Sequence, residues 1–204
     1  MKRLLFAAAL AVLPIAPVLA QATAPDVLVR TVTNEVIGII KQDKEIQAGD
    51  TRKTIALVEQ KVLPHFDFGR MTALAMGANW RRATPEQQKL LVEQFRTLLV
   101  RTYSTALTAY RDQVIEFRPL RAQPGDTEVT VRSEVRQSGT QPVTIDYSMA
   151  KSNDAWKVYD VSVGGVSLVT TYRETFAAEV RNAGVEGLIK SLADKNRQLE
   201  TKRG

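Results

Sequence analysis

A chain of 204 residues, 44% apolar and 25% charged, is of ordinary single-domain size and carries enough apolar side chains for one substantial core. It has no cysteine, which removes disulfides, thiolate chemistry, cysteine-ligated metals and any acylated N-terminal cysteine. The net charge of +6 is mild and comes without a long Lys/Arg run, so no nucleic acid is indicated, although a basic surface favours anionic lipid headgroups or acidic proteins.

In chain order, Lys2 and Arg3, the apolar run from Leu4 to Leu13 and the small residue Ala20 read as a secretory signal cut before Gln21. Leu4 to Ala20 is short of the roughly 20 residues a bilayer needs and holds Pro14 and Pro17, so cleavage is expected rather than anchoring. That leaves a soluble protein outside the cytoplasm. It forms one domain over 21–204, with a helical lobe over about 21–112 and a sheet plus C-terminal helices over about 113–196.

Leu28, Val32, Val36, Ile39 and Ile40 recur at steps of three and four behind Pro25-Asp26, the pattern of an amphipathic helix. Asp50 is placed to cap a second helix that Pro64 stops. Thr84-Pro85-Glu86-Gln87 combines a capping threonine, a proline at the first helical position and a glutamine three residues after the cap. The helix it starts is expected to run to about Tyr110, a rod on the order of 38 Å long. Beyond it the period changes to two: Val129, Val131 and Val135 alternate with polar residues, as do Val143, Ile145, Tyr147 and Met149. With strands near Val114 to Phe117 and Trp156 to Val163, and turns at Ser138-Gly139 and Asn153-Asp154, about four antiparallel strands are expected. One face is apolar and helix-covered, the other charged and wet. Gly164-Gly165 then leads into a helix capped by Ser167, with Val169, Tyr172, Phe176 and Val180 on one stripe. Gly184 ends that helix, a short segment from Val185 to Leu192 follows, and Lys195 to Gly204 forms a charged tail.

Candidates for chemistry fall by subtraction. Gly164-Gly165-Val166-Ser167 lacks the lysine of a phosphate loop and the second glycine of a nucleophile elbow. His65, the sole histidine, sits beside a helix end, where a surface or capping role is expected, and with scattered carboxylates it makes no metal site. Asp146 shares parity with Thr144 and Ser148 and points to solvent. Asp160 shares parity with Trp156 and Val158, but Tyr159, Val161 and Val163 are apolar on the other parity, so the inward side stays open. A carboxylate inside an apolar cavity can act as a general base; a structural aspartate bonded near the strand end is the other reading. The glycine pair permits a sharp turn and close approach of a chain or ligand.

Trp156-Lys157-Val158-Tyr159-Asp160-Val161, followed by Gly165-Val166-Ser167-Leu168-Val169 and Tyr172-Arg173, resembles the C-terminal signature of the MlaC, or toluene-tolerance, family of periplasmic phospholipid-binding proteins. Pro64-His65-Phe66-Asp67-Phe68, Gly77 to Trp80, Ala83 to Gln87 and Phe95 to Tyr103 resemble it in the same order. The resemblance implies an α+β fold in which a twisted antiparallel sheet and helices surround an apolar lipid cavity, a nuclear-transport-factor-like cone with an N-terminal helical lobe. It also implies a monomeric, non-enzymatic carrier without cofactor. Its cargo is glycerophospholipid, moved between outer and inner membranes for outer-membrane asymmetry. The implied partners are the MlaA–porin complex and MlaD of the inner-membrane ABC transporter.

On that reading Leu99, Tyr103, Val131, Ile145, Tyr147, Met149, Val166, Val169, Tyr172 and Phe176 are expected to line the tail cavity. The glycine pair would form part of its wall, and Arg173 is a candidate phosphate neighbour. The competing expectation is an isomerase-like cavity enzyme with Asp160 as base and Tyr159 or Tyr147 as hydrogen-bond donor. A third is a periplasmic adaptor that binds protein alone.

Overall fold

Short polar side chains set the helix starts by accepting hydrogen bonds from first-turn N–H groups that have no partner inside the helix. The computed structural model describes residues 23–153 and 155–201, so the expected signal segment and Asp154 lie outside the described residues. α1 (Pro25–Gln42) begins with its proline and buries Val29, Val36 and Ile40. Asp43 caps the single turn α2 (Lys44–Gln47), and Asp50 caps α3 (Thr51–Lys61) by accepting from Lys53 N–H at 2.9 Å. After a 3-10 turn over Leu63–His65, Asp67 caps α4 (Phe68–Met76). A second 3-10 turn, Gly77–Arg82, leads to α5 (Pro85–Tyr103). There Thr84 and Gln87 form the expected reciprocal box, at 3.2 and 2.9 Å. Among the described residues no helix is long and apolar enough to cross a membrane.

Two helix lengths depart from expectation. α5 stops at Tyr103, roughly 28 Å long, and a separate turn α6 (Thr105–Thr108) follows Ser104. The sequence there is rich in hydroxyls that compete for backbone carbonyls: Thr108 Oγ1 donates to Thr105 C=O at 2.8 Å, and Leu107 N–H reaches back only three residues to Ser104. At the other end, α7 (Leu168–Thr201) starts on Ser167, whose Oγ accepts from Thr170 N–H at 3.0 Å. It breaks at Gly184, at φ 70° and ψ −176°, and resumes through the segment expected to be a charged tail. Asn196 explains that continuation. It donates to the Gln94 backbone at 2.9 Å and side chain at 3.0 Å, while Arg101 donates to its carbonyl, locking the last turns of α7 onto α5.

The sheet is a five-stranded antiparallel meander in the order β1-β2-β3-β4-β5: β1 (Val114–Phe117), β2 (Glu128–Arg136), β3 (Val143–Ser152), β4 (Ala155–Val163) and β5 (Val166–Ser167). The fifth strand is the two-residue return of the hairpin that Gly164 and Gly165 turn, at φ 58° and 82°. Both values suit a two-residue hairpin and disfavour side chains with a Cβ. The pairing also resolves the parity of β4. Ser148 faces Asp160 and Met149 faces Val158, leaving Tyr159 as the extra residue of a bulge. Val158 before the bulge and Val161 and Val163 after it therefore share the inner face, while Asp160 turns outward. On that outer face Arg118 and Arg136 bind Glu134, Arg136 also pairs with Glu116 at 3.1 Å, and Arg132 lies 3.8 Å from Asp146.

Among the described residues three apolar clusters hold the fold together. In one, α4, α5 and α7 pack around Phe95, whose ring meets Tyr172 and Phe176 edge-on at 5.0 and 5.1 Å. A second joins α1 to the inner face of the sheet through Val29, Val129, Val131, Met149 and Val158. The third gathers Val36, Ile40, Ile46 and Leu57 of α1 to α3.

Candidate functional site

Where the three clusters meet, the helices and sheet enclose a cavity of about 400 Å³. α1 supplies one wall, including Val32, Val36 and Ile40, and the inner face of the sheet supplies another, including Ile145, Tyr147, Met149 and Val161. Val58 of α3, Leu63 and His65 of the first 3-10 turn, Phe68 and Met71 of α4, Leu99 and Tyr103 of α5 and Leu107 of α6 line the remainder. Among the described residues the wall contains no Asp, Glu, Lys or Arg. Its one titratable imidazole, His65, is pushed below its ordinary value of 6.5 by burial, then by the positive charge of Lys157, against a smaller opposite pull from Glu35. Burial raises the Tyr147 hydroxyl above its usual range, with Ser133 and Thr33 opposing.

The cavity opens where the inner face runs out. Tyr103 and Val163 both line it and are 39% and 40% exposed. Val166, opposite Val163 in the β4–β5 pair, is 60% exposed, and Val143, on the inner-face parity of Ile145, is 42% exposed. The rim is thus apolar as well as the interior.

Of the residues expected at the cavity, Leu99, Tyr103, Ile145, Tyr147 and Met149 are brought together in its wall. The others are not. Val131 is sealed beside Val29 and Met149, and Val166 sits on the exposed rim. Val169, Tyr172 and Phe176 are consumed by the packing of α7 on α5, with burial and then Tyr103 pushing the Tyr172 hydroxyl up to about 12. The glycine pair is likewise no part of the wall: neither Gly164 nor Gly165 lines the cavity, and a Cβ at either position would stand in open space. Arg173 donates Nε–H to the Leu74 carbonyl at 3.2 Å, a tie between α7 and α4. His65, expected at the surface or in a cap, stands in the wall. Its neighbour Phe66 bridges to Val158, and Asp67 N–H donates to the Val158 carbonyl at 2.8 Å. Sequence reasoning missed the whole α1 wall. The stripe was visible, but periodicity does not say which surface a stripe covers.

The constellation for an isomerase is not assembled. Asp160 accepts from Ser167 Oγ at 2.6 Å and from Val169 N–H at 3.2 Å, fastening β4 to the start of α7 on the outer side of the bulge. Tyr159 also faces away, its hydroxyl donating to Glu128 at 3.1 Å and its ring lying under the Arg70 guanidinium at 3.7 Å. Arg70 and Tyr159 together hold the Glu128 carboxyl below its ordinary range.

Comparison with known proteins points the same way as the cavity. The sequence profile of the MlaC protein family matches residues 30–194. The chain is 27% identical over 176 residues to the toluene tolerance protein ttg2D of Pseudomonas putida, an alignment covering 86% of this chain and 80% of that one. It is 22% identical over 173 residues to the intermembrane phospholipid transport system binding protein MlaC of Haemophilus influenzae, covering 83% and 81%. Among solved structures, the phospholipid-binding protein from Ralstonia solanacearum in complex with a phospholipid superposes with a TM-score of 0.81 at 41% identity, covering 87% of this chain and 99% of that one. With an α+β architecture built on an antiparallel sheet and a family match across most of its length, the chain belongs to the MlaC family.

Proposed function

We propose that the protein is a soluble periplasmic carrier that shuttles glycerophospholipids between outer and inner membranes and so maintains outer-membrane lipid asymmetry. The observation that carries this reading is the apolar cavity with an apolar rim and, among the described residues, no Asp, Glu, Lys or Arg in its wall. Moving a methylene from water into such a space is favourable by about 0.8 kcal/mol. A methylene takes up about as much room as a water molecule in the liquid, about 30 Å³, so the cavity accepts roughly a dozen methylenes, close to one acyl chain. Shielding that chain is then worth roughly 10 kcal/mol. The phospholipid held by the Ralstonia solanacearum relative at 41% identity supports the same cargo here.

On this reading residues 1–20 are a cleaved signal and 21–204 a single lipid-carrier domain acting as a monomer. The lipid is cargo rather than cofactor, and no catalytic step is assigned. Leu99, Tyr103, Ile145, Tyr147 and Met149 contact the tail. The docking partners are the MlaA–porin complex at the outer membrane and MlaD of the inner-membrane ABC transporter. The test is organic extraction of the purified protein followed by mass spectrometry, with phospholipid vesicles offered if none co-purifies. Near-stoichiometric phospholipid is expected; a protein that neither retains nor takes up lipid refutes the assignment.

A further inference from the structure

The cavity mouth is circled by stretches of chain that carry no charge. Residues 102–110, 137–145 and 161–172 contain no Asp, Glu, Lys or Arg, in a chain of which 25% is charged. Each stretch reaches the cavity, through Tyr103 and Leu107, through Ile145, and through Val163 and Leu168. Hydrogen bonds join them into a collar. Tyr110 O–H donates to the Gln113 carbonyl at 3.0 Å, and the Gln113 side-chain amide donates to Gln137 Oε1 at 3.2 Å. Gly164 N–H donates to the Thr144 carbonyl at 2.9 Å, and the Tyr172 hydroxyl is within hydrogen-bond reach of Thr102 and Tyr103.

This collar turns an apolar edge to water. Val163 faces Ile145 on one side and Val166 on the other, and Val143 lies one same-face step beyond Ile145, so the exposed valines form a continuous row beside Tyr103. Single exposed apolar side chains are ordinary, whereas a contiguous set around an opening marks a surface that meets another apolar phase.

The charges that bound the collar narrow what that phase is. A specific protein interface surrounds its apolar centre with a polar rim. Here the valines are interrupted only by uncharged groups such as Thr, Gln and Tyr, which sit readily at the headgroup level of a bilayer. The first charged residues beyond the stretches are Arg101 and Arg111, Arg136 and Asp146, and Asp160 and Arg173. Arg101, Arg136 and Asp146 are in ion pairs, and Asp160 is held by Ser167 and Val169. Arg111 and Arg173 differ: both are exposed, donate only to the backbone carbonyls of Thr108, Tyr110 and Leu74, and make no ion pair among the described residues. The charge left over at the collar's edge is therefore positive and complements lipid phosphates.

We propose that the collar seats the protein on the surface of an anionic bilayer, with Val143 and Val166 among the headgroups and Arg111 and Arg173 on their phosphates, so that a tail passes between hydrocarbon and cavity without crossing water. This rests on the carrier reading above and adds to it a direct contact with a lipid surface, which docking on proteins does not require.

The experiment floats the purified protein through a density gradient with vesicles of phosphatidylcholine, alone or with a third of phosphatidylglycerol. The wild type is expected to float with both, several-fold more tightly with phosphatidylglycerol, and Arg111→Gln with Arg173→Gln is expected to remove that difference. Val143→Ser with Val166→Ser, at two exposed positions outside the cavity wall, is expected to weaken flotation about thirtyfold while melting as the wild type does and keeping its lipid. Each single serine variant, expected to lose about fivefold, carries the test if the pair does not fold. Leu90→Ser, which removes an equally exposed apolar side chain from the early part of α5, is expected to change nothing. A wild type that ignores both kinds of vesicle overturns the proposal and leaves the collar to a protein partner, and serine variants that float as the wild type does overturn it as well. Lipid extracted from a protein that does not float leaves the carrier reading standing, whereas a protein without lipid that takes none from the vesicles overturns that reading itself.

Discussion

Filling the cavity from its wall is the sharpest test of what it holds. Val161 lies mid-strand on β4, after the bulge, with its side chain in the cavity wall. Val161→Trp suits a strand in propensity and adds seven heavy atoms to the side chain, roughly 90 Å³ at about 13 Å³ for each close-packed ring atom. That is about a quarter of the about 400 Å³ present, or the room of about three methylenes. At about 0.8 kcal/mol each, a full-length tail loses roughly 2.4 kcal/mol of burial, about sixtyfold in affinity, while a tail shorter by that many carbons loses little. Lipids of mixed tail length are offered in vesicles and the bound fraction is extracted and weighed. Bound tails should shorten by about three carbons, with little loss of thermal stability because the ring enters open space rather than packed core. An unchanged tail-length distribution in a folded variant would refute the placement of the tail against β4.

Other substitutions probe the frame and its pH response. Asp160→Asn replaces a double acceptor by a group with one acceptor oxygen, and should lower stability by about 1–2 kcal/mol in urea titrations with lipid occupancy kept; lost occupancy at full stability would put Asp160 in the binding step instead. Gly184→Ala forces a Cβ into backbone at φ 70° and ψ −176°, where a side chain meets nothing within 4 Å, so the expected loss of about 1–3 kcal/mol is backbone strain alone. An unshifted urea midpoint would count against a fixed break in α7. For His65 the folded protein prefers the neutral ring, so its contribution to stability is present above 6.5 and declines as pH falls below that value. His65→Gln should flatten that part of the stability–pH curve, and a curve parallel to the wild type would show that burial does not perturb the imidazole.

Much of the frame was legible because local chemistry wrote it. The Thr84–Gln87 box, the Asp50 and Ser167 caps, the Val114–Phe117 strand and the charged outer face follow from spacing and side-chain type, and each recurs in the structure at the expected residues. The cavity was only half legible. Inner-face alternation on β3 gave Ile145, Tyr147 and Met149 directly, but β4 holds a bulge at Tyr159, and one extra residue reverses parity without leaving a signature in composition. The α7 stripe misled for another reason. Tyr172 and Phe176 look equally suited to a cavity or a core, and the ring of Phe95 on α5 settles them as core. The α5 stop was hidden because Tyr103 to Tyr110 keeps helical spacing while threonine hydroxyls divert its carbonyls.

The three apolar clusters border the hollow from separate sides, each with its own interlocked side chains and with Phe66 packed against two of them. A container assembled this way enlarges by letting its panels slide apart along their seams, leaving every panel internally intact. On the carrier reading, a second fatty tail too bulky for the resting space would be accommodated through rearrangement at the joints between α1, α5 and the sheet, and the same joints would be the route by which a passenger leaves.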